Sequence, residues 1–170
     1  MIKIRENVFE TNSSSTHAIC IPNKPQTFFK GTCLYFNIKE YGWEVDRWVD
    51  PCSYLYTAIL SAYYKEQADE RVETLKKILD KYEIHYAFED PKWRKAYNSH
   101  DYYLDSDGYV DHADELIPLL DTLFNDEDLL MSYLFGAEIC TGNDNSGWED
   151  VENFWDEHDE GEFFKYWKGN

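Results

Sequence analysis

The chain has 170 residues, 34 of them acidic and 16 basic, for a formal charge of -18 and a pI near 4.5. A surface this anionic repels phosphate backbones and anionic headgroups, which argues against direct binding to nucleic acid or to a membrane surface. Aromatic residues make up 18% of the chain (6 Trp, 14 Tyr, 10 Phe), enough apolar area for a core, so a disordered polyanion is disfavoured.

The opening Met1-Ile2-Lys3-Ile4-Arg5-Glu6 lacks the apolar run of a signal peptide, and the apolar stretches are too short to span a membrane. The expectation is a cytoplasmic protein with reduced thiols, because Cys20, Cys33, Cys52 and Cys140 form neither a CxxC pair nor a zinc-type spacing. Val8-Phe9 and Ala18 to Ile21 read as strands flanking a polar loop, Pro22-Asn23-Lys24-Pro25 as a turn, and Cys33 to Asn37 as a strand. Asp50-Pro51 reads as an N-cap with proline in the first turn. Leu55, Ala58, Ile59, Ala62 and Tyr63 follow at helical spacing, and Val72, Leu75, Ile78, Leu79 and Tyr82 form a second stripe. Ile84 to Phe88 reads as a strand.

Farther on, Tyr102 to Leu104 and Tyr109-Val110 flank Asp105-Ser106-Asp107-Gly108, a hairpin signal. Leu116, Leu119, Leu120, Leu123 and Phe124 predict a helix, with Pro118 at its start or kinking it. Asp126 caps a further helix through Leu134, ended by Gly136. Ala137 to Cys140 is a strand that stops at Thr141-Gly142. A last helix, 149–158, stacks Val151, Phe154, Trp155 and His158 on one face. With no internal repeat and no linker, the economical reading is one α+β domain over 1–170, its near-neutral first part packed against an acidic helical second part.

The charge is split unevenly along that domain. Residues 1–100 hold 14 acidic and 14 basic side chains, whereas 101–170 hold 20 acidic ones against Lys165 and Lys168 alone. Thirteen aromatics in the acidic stretch favour a folded element over a tail. A dense folded anionic surface attracts proteins built to grip phosphate. The leading expectation is therefore a non-enzymatic inhibitor that mimics nucleic acid and occupies the groove of a basic nucleic-acid-binding protein, such as a defence nuclease, in the anti-CRISPR or anti-restriction manner. Its contact residues are expected at Glu149, Asp150, Glu152, Asp156, Glu157, Asp159, Glu160 and Glu162, supported by Asp126, Glu127 and Asp128. The competing explanation is ordinary solubility.

A second feature is the polar run Glu10-Thr11-Asn12-Ser13-Ser14-Ser15-Thr16-His17. Serines beside a histidine suggest a nucleophile and its base, with Ser13, Ser14, His17 and Asp144 as the catalytic alternative. A turn whose hydroxyls satisfy local backbone groups explains the run as simply. Arg5-x-x-Val8-Phe9 through His17, together with Thr141-Gly142-Asn143-Asp144-Asn145, resembles two motifs of a family of small uncharacterised bacterial and phage proteins. That resemblance implies no activity, but it implies that both polar segments belong to one site. Glu10, Asn12, Ser13, His17, Asn143, Asp144 and Asn145 would then line an oxygen-rich pocket suited to a hard cation or a small polar ligand.

No metal or cofactor is predicted. Asp105-Ser106-Asp107-Gly108, with Asp111 and Asp114, fails the EF-hand pattern because Tyr103 stands where the first ligand belongs. His85, His100, His112 and His158 are scattered and read as structural or exposed.

Overall fold

The computed structural model describes residues 15–97, 99–105, 108–143 and 147–169. Everything in it is arranged around strand β1 (Ser15–Pro22), which is buried along nearly its whole length. β1 is the middle strand of a three-stranded antiparallel sheet, between β6 (Glu138–Asn143) and β7 (Phe163–Lys168). Side chains alternate across a strand, and the two faces of β1 meet different partners. Ile19 and Ile21 join the large core, whereas Ala18 and Cys20 join a smaller cluster with Cys140, Val151 and Phe154.

The large core is made chiefly by helices. Helix α1 (Pro51–Ala62) begins as its sequence dictates: Asp50 accepts from the Ser53 N–H at 2.9 Å, and Pro51 occupies the first turn. It is buried from Cys52 to Ser61, so it is an interior helix rather than a one-stripe surface helix. α2 (Lys65–Lys81) does bury a single stripe, Ala68, Val72, Leu75, Ile78 and Leu79. A short 3-10 turn (Ala113–Leu116) runs into α3 (Ile117–Asn125), which places Pro118 at the helix start, where no hydrogen bond is lost. Asp126 then caps α4 (Glu127–Gly136) by accepting from the Leu129 N–H at 3.0 Å. Two small sheets flank this core: β2 (Cys33–Phe36) runs parallel to β3 (His85–Phe88), and β4 (Trp93–Lys95) runs antiparallel to β5 (Tyr102–Leu104).

α5 (Trp148–Glu157) covers the other face of the central sheet through Val151 and Phe154. His158, buried at its C-terminal end, fastens it twice, with Nδ1 2.7 Å from the Phe154 carbonyl and Nε2 3.1 Å from Glu138 on β6. Lys165 of β7 donates to the Trp155 and His158 carbonyls at 2.7 and 2.9 Å, placing a cation at the negative end of the helix. The result is a single compact mixed fold of helices and strands. Among the described residues no helix is long and apolar enough to cross a membrane.

Three expectations are corrected. Ser15, Thr16 and His17 are not loop but the start of β1, and β6 runs on through Thr141 and Gly142 to Asn143, because each completes the other's ladder. Tyr102 to Leu104 pairs with Trp93 to Lys95 rather than with Tyr109-Val110, and Val110 instead bridges to Tyr41. β7 went unpredicted. The acidic stretch supplies both neighbours of the strand from the neutral stretch. Val8-Phe9, Ser106 and Asp107 lie outside the described residues.

Phe154, 5% exposed, is the main apolar anchor of α5. Phe154→Ala should lower unfolding free energy by about 3–5 kcal/mol in denaturant titration. A loss below about 1 kcal/mol would show that α5 is not held by this contact.

Candidate functional site

The two polar motifs meet as paired strands. In the β1–β6 ladder Ser15 stands opposite Asn143, Thr16 opposite Gly142 and His17 opposite Thr141. On the other side of β1, His17 stands opposite Lys168. Directly opposed residues share a face, so Thr141, His17 and Lys168 form one polar row across three strands, continuous with the apolar row Ile139, Ile19 and Tyr166. Ser15 lies one step beyond, on the same face.

The row is sealed from solvent: Ser15, His17, Thr141 and Lys168 are exposed by 2% or less. His17 Nδ1 lies 2.5 Å from the Tyr54 hydroxyl, which α1 presents from the core side. Burial, followed by the charges of Lys168 and His112, pushes the His17 imidazole well below its usual range, so it is neutral. Burial likewise pushes the Tyr54 phenol well up, so it keeps its proton. When Tyr54 donates to Nδ1, the imidazole proton sits on Nε2. Among the described residues Nε2 has no hydrogen-bond partner, and neither do the hydroxyls of Tyr41 and Thr141.

Lys168 Nζ donates to Ser15 Oγ in a short contact and lies 3.2 Å from the Ser15 carbonyl, while Ser15 Oγ donates to the Asp111 carbonyl at 3.2 Å. Burial pulls the Lys168 ammonium down from 10.5 to about 8, against the opposing pull of Glu115, Asp111 and Asp114. An amine with that value is available as a base near neutral pH. The thiols are not comparable nucleophiles, since burial raises Cys20 and Cys52 to about 12 and Cys140 to about 11.

A strap of residues 41–46 covers the row. It is pinned at one end by the Tyr41–Val110 bridge and at the other by Asp46, whose N–H and carbonyl exchange 2.9 Å bonds with Thr141. Between them the Asn143 side chain donates to the Trp43 carbonyl. Gly42 sits where only glycine serves. Its φ is +100°, and a Cβ there would lie 2.7 Å from His17 Nε2 and from Ser15 Cβ, and 3.2 Å from Ser15 Oγ.

His17 and Asn143 are thus drawn together with Ser15 of the same polar run, and with Lys168 and Tyr54, which sequence reasoning missed. Glu10, Asn12, Ser13, Ser14, Asp144 and Asn145 lie outside the described residues. His85 and His100 are exposed elsewhere, and His112 is exposed beside Asp111, whose carbonyl accepts from Ser15. No group of His, Cys, Asp and Glu able to hold a metal ion occurs among the described residues.

The predicted acidic residues form a separate surface. Val151 and Phe154 face the sheet, leaving Glu149, Asp150, Glu152, Asp156 and Glu157 exposed along α5. Asp159, Glu160 and Glu162 continue the ridge in the turn that follows. Arg47 pairs with Glu157 at 3.3 Å. A shallow notch of about 340 Å³ opens on this ridge between Trp155 and Trp167, with Glu152 and Asp156 at its edge. Asp126, Glu127 and Asp128 are not part of it. They begin α4, which packs on the opposite face of the sheet, where Asp126 caps the helix and Glu127 pairs with Lys81 at 2.5 Å. Acidic groups in a first helical turn also complement the helix dipole, so this trio has a local structural role.

Comparison with protein-family models, with characterised proteins and with solved structures finds no match to this chain.

The buried lysine gives a testable linkage. Its folded value, about 8, lies below the ordinary 10.5. Between those values the unfolded chain binds more protons at this site, so its contribution rises with pH there and is least favourable below 8. Cysteines and tyrosines titrate oppositely in the same range, so the quantity to measure is a difference. Relative to Lys168→Met, wild type should gain stability between pH 8 and 10 in paired denaturant titrations. Parallel pH profiles of the two proteins would show that Lys168 is not perturbed.

Proposed function

We propose that the protein is an acidic, non-enzymatic inhibitor of the cytoplasm that docks into the nucleic-acid groove of a basic defence protein, as anti-CRISPR and anti-restriction proteins do. One observation carries this reading: eight predicted contact carboxylates lie exposed on one ridge built from α5 and its following turn, with one described ion pair among them. α5 has 10 residues and is therefore about 15 Å long. The same length of duplex carries about nine charges. Five of the eight carboxylates lie on α5 itself, so this length carries roughly half the charge of the duplex, a coarse imitation of what a phosphate-gripping groove is built to neutralise.

Such crowding costs stability by self-repulsion, and a cationic partner relieves it. The Trp155–Trp167 notch supplies what charge alone does not, an aromatic anchor amid the carboxylates of the kind on which binding energy concentrates. The resemblance of the two polar motifs to bacterial and phage proteins accords with a role in conflict between a mobile element and its host. A second reading, a small enzyme or ligand-binding module, is favoured by the pairing of Ser15 to His17 with Thr141 to Asn143.

Charge reversal separates the two. The wild-type protein should retain a basic nucleic-acid-binding protein from host lysate, and duplex DNA should displace it. Raising salt from 50 to 200 mM should weaken the association at least about tenfold. Glu152→Lys, Asp156→Lys and Asp159→Lys combined should abolish retention, while His17→Ala leaves it intact. Recovery of no nucleic-acid-binding protein, or retention unaffected by the triple reversal, would overturn the inhibitor reading.

A further inference from the structure

We infer that the notch between Trp155 and Trp167 is a receptor for a guanidinium group, supplied as an arginine side chain by the groove into which the ridge docks. The source of that arginine rests on the inhibitor reading, whereas the chemistry of the notch stands without it. Trp148, Glu152, Trp155 and Asp156 fall at positions i, i+4, i+7 and i+8 of α5, which puts them on one flank of the helix. β7 lays Trp167 against that flank. Its ring centroid lies 5.4 Å from that of Trp155 at an interplanar angle of 82°, and 5.5 Å from that of Trp148 at 75°. Indoles set nearly at right angles make a corner rather than a stack, the form in which aromatic side chains enclose a cation.

The charges at this corner are unanswered. Glu152 and Asp156 line the notch with the two indoles, and both are exposed. Among the described residues neither takes part in an ion pair. The basic side chains that touch α5 are engaged elsewhere, Arg47 with Glu157 at 3.3 Å and Lys165 with the Trp155 and His158 carbonyls. Lys165 Nζ also stands 4.2 Å from the Trp155 ring centroid without lining the notch, so this indole already holds one cation within the fold. Two carboxylates outnumber that ammonium and leave the notch negative.

The carboxylates select among cations. Residues 152 and 156 are one turn apart, about 6 Å along the helix axis. A guanidinium is planar, weakly hydrated and carries donors on more than one edge, so it can donate to both carboxylates while its face rests on an indole. An ammonium is compact, strongly hydrated and has no face to stack. The occupant is a side chain rather than a free molecule because the notch is shallow. Small-molecule sites enclose most of their ligand, and this one would leave a free cation largely in water. A docked protein holds the same group in place through its other contacts, and arginine is a principal phosphate-gripping residue of nucleic-acid grooves.

The test titrates the full chain, 15N-labelled at its six tryptophans, with N-acetyl-arginine methylamide and N-acetyl-lysine methylamide at low salt. Indole N–H signals are followed by NMR. The arginine probe should move the Trp155 and Trp167 signals saturably, with a Kd of about millimolar order. It should bind at least about threefold more tightly than the lysine probe. Glu152→Gln with Asp156→Asn should weaken it about tenfold. Glu66→Gln with Glu70→Gln, which remove the same charge from α2, should leave it within about twofold. Equal affinity for the two probes, shifts confined to Trp43, Trp48 and Trp93, or equal losses in the two double variants would each overturn the assignment. A Kd below about 10 μM would mark a site for a free small molecule and overturn the partner's arginine as occupant. No partner enters this titration, so its failure leaves retention from host lysate standing. Failed retention beside intact arginine selectivity would instead overturn the inhibitor reading and the source of the arginine, and keep the guanidinium receptor.

Discussion

The rest of the structure depends on one constraint: β1 is buried on both faces and paired on both edges. Interior strands of this kind must find partners for every backbone group, because an unpaired N–H or carbonyl has no water to turn to. The partners come from far along the chain, β6 and β7, both from the acidic stretch. Folding therefore requires the most negatively charged segment to close around the neutral one. What makes that closure possible is the pattern within those strands. Cys140 and Ile139 face opposite clusters, as do Trp167 and Tyr166, so each strand brings apolar area to both layers while the carboxylates stay outside.

The polar row also fixes register. A slip of one residue would turn every side chain of β1 to the other face, carrying His17 away from Tyr54 and placing Ala18 opposite Lys168. Apolar rows alone discriminate less sharply, because Ile19 and Ile21 have similar shape. The Tyr54–His17 contact and the Lys168–Ser15 contact are each satisfied in one register only. Register alone does not call for His17 Nε2, the Tyr41 hydroxyl and the Thr141 hydroxyl to remain unpartnered among the described residues. A row selected purely for stability would have been closed more completely, since replacing buried polar groups by apolar ones of the same volume is often neutral or stabilising.

Most elements were legible because local rules governed them. Asp50-Pro51 and Asp126 announce helix starts through side chains that act within a few residues, and the α2 stripe carries its own periodicity. The sheet was not legible. Ser15 to His17 has the composition of a turn and becomes strand only because Thr141 to Asn143 and Lys168 complete it from more than 120 residues away. β7 carries two lysines three residues apart, on opposite faces of the sheet, and each is held by the protein. Lys165 lies over the Trp155 ring at 4.2 Å and reaches the end of α5, while Lys168 enters the core. The site was half legible for the same reason: serine and histidine were visible as chemistry, but the base was the last basic residue of the chain.

The two candidate surfaces lie on opposite sides of the central sheet, and their electrostatics are separate. The carboxylates that act on Lys168 are Glu115, Asp111 and Asp114, on the 3-10 turn and the segment leading into it, and none belongs to the ridge. Exposed charges are largely screened beyond about 8 Å at physiological ionic strength, and two layers of side chains and the sheet intervene. A cationic partner that neutralised the ridge would therefore leave the Ser15–Lys168 pair as it is. The chain's acidity and its buried base answer to different constraints, one at the solvent face of α5 and one beneath the strap, with β1 between them.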